Sequence, residues 1–211
     1  MPRVLSESDV TGFRDRVCEV AARLFVAKGP EGVTMRELAS ALGVSAMTPY
    51  RYFRDKDAIL AAVRARAFDR FAEVLEKAYF GPGTTVERSC AERDAYIRFA
   101  LEEPATYRLM FDMSQPTEDE YPDLVRAMAR ARAMMTAYVR DLVAEGILSG
   151  DVELIGHVYW AALHGAVTLH LAGKLSPQYK LSAQYGIDQV VAEMMRALSE
   201  GFGARACTRC E

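Results

Sequence analysis

Apolar residues recur along the chain at gaps of three and four, the spacing of helix faces. Phe13, Val17, Val20, Ala21, Leu24 and Phe25 trace one face of a helix that runs to Lys28. Gly29-Pro30-Glu31-Gly32 stops it. Thr34-Met35-Arg36-Glu37 has the form of a capping box: the threonine oxygen caps the next helix and Glu37 reaches back to the Thr34 amide. That helix carries Leu38, Ala39 and Leu42 and ends at Gly43, a residue suited to a left-handed C-cap. Val44 follows as a hydrophobic pin, and Ser45 N-caps a short predicted helix, Ala46 to Phe53. Pro49 is tolerated there because the first amides of a helix have no intrahelical acceptor. Asp55 caps a helix from Lys56 to about Phe80, closed by Gly81-Pro82-Gly83. Five further helices are predicted near 86–103, 104–111, 122–144, 152–172 and 183–200. Polar or glycine-bearing segments at 112–121, 146–150 and 173–182 separate the last four. No convincing period-two strand, internal repeat or low-complexity tract interrupts the pattern. The expectation is an all-α protein.

Composition sets the class. The 211 residues are 51% apolar and 26% charged, close to the globular norm and enough to bury a core. A mean hydropathy of −0.04 argues against a polytopic membrane protein. The opening Met1 to Glu7 lacks the apolar stretch of a signal peptide. Four cysteines without framework spacing fit a reducing cytoplasm. The net charge of −3 conceals an asymmetry: residues 1–70 carry 12 Lys and Arg against 9 Asp and Glu, while the remainder is acidic. A mildly basic head on an acidic body suits a DNA-reading module joined to something else.

Residues 34–53 have the build of a helix-turn-helix. Two short helices meet at a tight turn holding Gly43, small Ala39 permits close approach, and Leu38, Leu42 and Val44 fill the wedge. The second helix is too polar and too short for a core. Its Ser45, Thr48, Tyr50, Arg51 and Tyr52 suit phosphates and base edges. An ordinary helical corner is the structural alternative for the bare turn.

The run Ala22-Arg23-Leu24-Phe25, Gly29, Gly32 through Ala39, Leu42 to Ser45, Tyr50 to Asp57 and Leu60 resembles the N-terminal domain of TetR/AcrR-type transcriptional regulators. The resemblance runs from Ala22 to Leu60. It implies an all-helical homodimer, with a three-helix N-terminal helix-turn-helix domain on DNA and a larger C-terminal helical domain that dimerises and binds an inducer. Pro49 and Tyr52 depart from the leucine and histidine common there, which leaves the operator sequence open. Tyr96 to Ala100, Pro104, Tyr107 to Phe111 and Trp160-Ala161-Ala162-Leu163-His164-Gly165 further resemble the subgroup with a Trp–His–Gly C-terminal motif. The division expected is 10–58 for DNA binding and 59–205 for effector binding and dimerisation.

Other features weigh less. Residues 154–173 hold no Lys, Arg, Asp or Glu, but a helix covered on two sides, by a pocket and by a dimer partner, explains this better than a membrane span. His157 and His164 stand two turns apart, roughly 10 Å, too far to grip one metal unaided, so no metal is expected. Cys207 and Cys210 form a lone C-x-x-C without a second pair, and Cys18 and Cys90 read as small buried hydrophobes. Seven of the ten methionines lie beyond residue 100, as befits a tolerant apolar pocket or plain core packing. No nucleophile elbow, phosphate loop or zinc-protease motif is present; neither an enzyme nor a cofactor is expected.

The reading is a cytoplasmic, homodimeric, ligand-responsive repressor on a palindromic operator in double-stranded DNA. A soluble small-molecule binder with a vestigial DNA head and an architectural DNA binder without inducer are the rivals. The DNA set expected is Thr34, Arg36, Ser45, Ala46, Met47, Thr48, Tyr50, Arg51, Tyr52 and Lys56. The effector set is Tyr107, Met110, Phe111, Trp160 and His164, for a small hydrophobic molecule with one polar end, held between the 104–111 segment and the 152–172 helix.

Overall fold

The computed structural model describes residues 7–111, 118–175 and 185–203. Among them the regular structure is helical: α1 (Glu7–Lys28), α2 (Met35–Ala41), α3 (Lys56–Tyr79), α4 (Thr85–Glu102), α5 (Pro104–Phe111), α6 (Pro122–Ala144), α7 (Val152–Leu171) and α8 (Ile187–Gly201). Short 3-10 turns lie at Pro49–Arg51 and Glu118–Glu120. The all-α expectation holds, and most helix ends fall within a residue or two of the predicted ones. α8 starts at Ile187, later than predicted: Tyr185 and Gly186 are not helical, and 183–184 lie outside the described residues, as does the 207–210 cysteine pair.

Packing groups the chain into two units: residues to Arg70 with Ala105–Ala129, and Phe71–Pro104 with everything from Arg130. α3 and α6 contribute residues to both. The expected boundary at residue 58 is a functional division and does not coincide with this grouping.

In the first unit Val17, Ala21, Phe25, Val33, Leu38, Leu42, Phe53, Ile59, Leu60 and Leu109 form one buried cluster. The periodic face of α1 read from sequence supplies the first three. Cys18 is buried there as expected, and burial raises its thiol pKa. Arg64, 2% exposed, donates from Nη2 to the Met110 carbonyl at 2.7 Å, placing a cation at the C-terminal end of α5.

In the second unit the edge of Phe71 meets Tyr96 at 5.2 Å, and Val139, Leu142, Leu148, Ile155 and Tyr159 pack together. Arg130 holds Glu76 through two guanidinium nitrogens, at 2.8 and 2.6 Å. α4 opens on a complete capping box: the Glu87 amide donates to Thr84 Oγ1 at 3.3 Å, and the Thr84 amide donates to Glu87 Oε2 at 2.8 Å. The box predicted at Thr34 is only half formed. The Glu37 amide donates to Thr34 Oγ1 at 3.2 Å, but the Glu37 carboxylate turns to Lys28 instead of the Thr34 amide.

Candidate nucleic-acid interface and effector cavity

Gly43 adopts φ +68° at the end of α2, the left-handed geometry expected of it. The chain then enters the segment predicted as a short α-helix at Ala46 to Phe53. It is instead a turn followed by a 3-10 turn at Pro49–Arg51. The hydrogen bonds show why. Thr48 N donates to Ser45 O at 2.9 Å and Arg51 N to Thr48 O at 3.1 Å, both three residues apart. Pro49 has no N–H to give to the Ser45 carbonyl, and an α-helical register would drive its ring against that carbonyl.

α1 fastens this segment. Arg14 donates from Nη1 to the Tyr52 carbonyl and lies 4.2 Å from the centre of the Phe53 ring. Phe13 packs on Tyr52 with ring centres 4.3 Å apart. The sequence reading missed Arg14; the available signal was a cation beside the apolar stripe of α1.

Much of the expected DNA set is displayed. Arg36, Ala46 and Arg51 are exposed, as are Met47 at 69% and Tyr50 at 48%. Thr34 is exposed, its hydroxyl oxygen accepting the capping bond. The Ser45 and Thr48 hydroxyls bond each other at 2.9 Å. Tyr52 is half-buried by its stack on Phe13. Lys56 is already engaged: its Nζ donates to the Pro30 carbonyl at 2.9 Å and lies 3.8 Å from Glu31. It ties the start of α3 to the turn after α1.

The effector set divides. Tyr107 and Met110 are fully buried in the first unit, and Phe111 meets Phe68 edge-on at 5.6 Å and Tyr107 at 5.0 Å. A cavity of about 650 Å³ lies wholly in the second unit, walled by α4, α6, α7 and α8 with Leu75 of α3. Tyr96, Met135, Tyr138, Leu142, Tyr159, Trp160, Leu163 and Met195 supply its apolar surface. Of the five residues expected to hold the effector, Trp160 alone stands in this wall. His164, one turn on, is half-buried with Nε2 3.4 Å from Thr168 Oγ1, and burial lowers its pKa. Cys90, expected in a core, is half-buried in the cavity wall.

Glu92 also stands in that wall, 3% exposed, and its Oε2 has no hydrogen-bond partner among the described residues. Burial pushes its carboxyl pKa up to about 9. Burial likewise raises the Tyr138 phenol, with the Glu92 charge adding to the shift. Sequence reasoning passed over Glu92, although it occupies the apolar register of α4 with Ala95, Tyr96 and Phe99.

α7 buries Ile155, Gly156, Tyr159, Leu163, Ala166 and Val167. Its other side leaves Leu154 62% and Leu169 49% exposed, and a Cβ at Gly165 would meet nothing within 4 Å. Among the described residues no helix is long and apolar enough to cross a membrane, and no cluster of three metal-ligating side chains occurs.

Comparison with known proteins fits this architecture. Residues 17–63 match the family described as bacterial regulatory proteins, tetR family, and residues 90–198 match the tetracyclin repressor-like C-terminal domain. An HTH-type transcriptional regulator of Mycobacterium bovis is 26% identical over 148 residues, covering 68% of this chain and 61% of its own length. The chain thus spans less than two thirds of that curated relative. The Escherichia coli HTH-type transcriptional repressor ComR is 25% identical over 66% of this chain and 67% of its own. A solved structure from Rhodococcus sp. RHA1, described as of unknown function, superposes with a TM-score of 0.75 at 26% identity, covering 96% of this chain and 98% of the other. The TetR-family regulator PfmR of Thermus thermophilus shares the fold with a TM-score of 0.63 at 23% identity, over 87% of this chain and 97% of the other. The all-helical architecture and both domain matches lead to one assignment: the chain belongs to the TetR family of bacterial transcriptional regulators.

Proposed function

We propose that the chain is a cytoplasmic, homodimeric repressor that binds a palindromic operator and is released by a small, largely apolar effector. In this reading residues 10–58 read DNA, and 59–205 bind the effector and dimerise. The observation that carries it is the coexistence of an exposed polar segment around Gly43 with a sizeable, mostly apolar cavity in the second unit. A vestigial DNA head would not need Arg36, Tyr50 and Arg51 on display, and an architectural binder would not need the cavity.

Arg36, Tyr50, Arg51, Thr34 and the Ser45–Thr48 pair contact phosphates and base edges, while Ala46 and Met47 meet thymine methyls. Tyr52 contributes its hydroxyl from a ring held by Phe13. Lys56 contributes to phosphate binding through ammonium hydrogens not given to Pro30. The exposed uncharged face of α7, with the outer face of α8, meets its counterpart in a second copy, an isologous contact that suits a palindrome. Two recognition segments then sit about one DNA turn apart, roughly 34–36 Å. Effector binding favours a different arrangement, which requires differential affinity for the two states. The effector site is placed in the 650 Å³ cavity, with Trp160 as its aromatic wall; Tyr107, Met110 and Phe111 act as packing under this placement and His164 as a support for Trp160.

Trp160→Ala is the test. The variant is expected to remain a folded dimer that binds operator but needs at least about tenfold more effector for release. A normal effector response in that variant contradicts the placement.

A further inference from the structure

We infer that the cavity of the second unit accepts a lipophilic cation, an amine or quaternary ammonium on an apolar body, with Glu92 as its anchoring counter-charge. The inference rests on the reading of this cavity as the effector site and specifies the effector's polar end.

Three observations point the same way. First, Glu92 is only 3% exposed, stands in the cavity wall, and leaves Oε2 without a partner among the described residues. A buried acceptor left unmatched is costly, and a ligand bearing positive charge or a donor removes that cost. Second, the cations of the wall are already matched. Arg93 Nη2 lies 2.7 Å from Asp94, and Arg196 Nη1 lies 2.7 Å from Glu200 with Glu193 on the same guanidinium. An anionic ligand would have to compete with those carboxylates; a cationic one finds Glu92 open. Third, Tyr96, Tyr138, Tyr159 and Trp160 give the cavity aromatic surface, which attracts cations as well as apolar bodies.

Burial keeps the Glu92 carboxyl protonated near neutral pH, and this sets the proton balance of binding. The other charged groups of the cavity wall are Arg93 of α4 and Glu193, Arg196 and Glu200 of α8, none of which shifts the carboxyl; the phenols that feel its charge, Tyr79 and Tyr138, stay neutral, as does Tyr159. When a permanent cation binds, the carboxyl O–H bond breaks, its proton leaves to solvent, and the carboxylate pairs with the ligand. A neutral alcohol of the same length releases no proton.

The experiment titrates the full chain with decyltrimethylammonium, decanol and decanoate by calorimetry at about pH 7, in two buffers of different ionisation enthalpy. The wild type is expected to bind the cation about ten- to hundredfold more tightly than decanol. Close to one proton per site should be released with the cation alone. In Glu92→Gln both the preference and the proton release should vanish while decanol affinity stays within about threefold. Glu92→Met, which keeps the volume without the polar end, should behave alike; thermal melts identify which variants are folded. Equal or tighter binding of decanol or decanoate to the wild type, or a retained cation preference in a folded variant, overturns the assignment of Glu92 and leaves the cavity reading standing. Failure of all three compounds to bind the wild type overturns both.

Discussion

At Gly156 the backbone of α7 passes so close to α6 that an added Cβ would lie 2.6 Å from Thr136 Cγ2 and 3.4 Å from the Met135 carbonyl oxygen. Thr136 is 4% exposed, so the clash has no free space to relax into. Gly156→Ala should therefore destabilise the protein by about 1–3 kcal/mol, the usual cost of overpacking. Adding Thr136→Ser, which deletes the obstructing methyl, should recover more than half of that loss in a denaturant titration. A single variant as stable as the wild type would contradict this close approach of α7 to α6. From sequence, Gly156 is one more small residue in an uncharged stretch. Its role depends on which residue of another helix lies opposite, and periodicity does not carry that information. Glu92 differs: its place in the apolar register of α4 was legible, but its meaning required a cavity beside it.

Among elements, the segment after Gly43 shows where local reasoning reached its limit. Composition marks it as the candidate DNA-reading part, and Gly43 takes the backbone geometry expected of it. The helix did not form as predicted because proline sits where an amide had to reach back four residues. The segment closes on its own short-range backbone hydrogen bonds, and α1 holds it further through Arg14 and Phe13. Arg14→Ala removes a charge-assisted hydrogen bond and a cation–aromatic contact. About 1–2 kcal/mol of stability should be lost. Operator affinity should fall at least fivefold even though Arg14 is outside the proposed contact set. Stability lost with affinity unchanged would show that α1 does not position this segment for DNA.

At the scale of the molecule, the helices of the described residues and their order were readable because each carries its own stop signals and an apolar face. The location of the cavity was not. From sequence the 104–111 aromatics suit a pocket, yet Tyr107 and Met110 are consumed in packing while α4 and α8 build much of the wall. Aromatic and methionine residues serve cores and pockets equally well, and only packing separates the two uses. For the uncharged stretch 154–173 the expectation is cover on two sides: one face of α7 is buried, and the opposite face, with Leu154, Ala161, Gly165 and Leu169, is the one proposed to meet a second copy. Leu169→Arg should convert the proposed dimer to a monomer in sedimentation at micromolar concentration, since a C2 contact would bury the charge twice. A dimer of unchanged strength would exclude this face.

DNA binding by a dimer is the centre of the account, and fluorescence anisotropy of labelled duplexes tiling the region upstream of the protein's own gene tests it most directly. A palindromic segment should be bound at two chains per duplex, at least about a thousandfold more tightly than scrambled DNA at physiological salt. Tyr50→Ala should weaken that binding at least tenfold while leaving the fold intact. Binding to every duplex with equal affinity, or saturation at one chain per site, would contradict it.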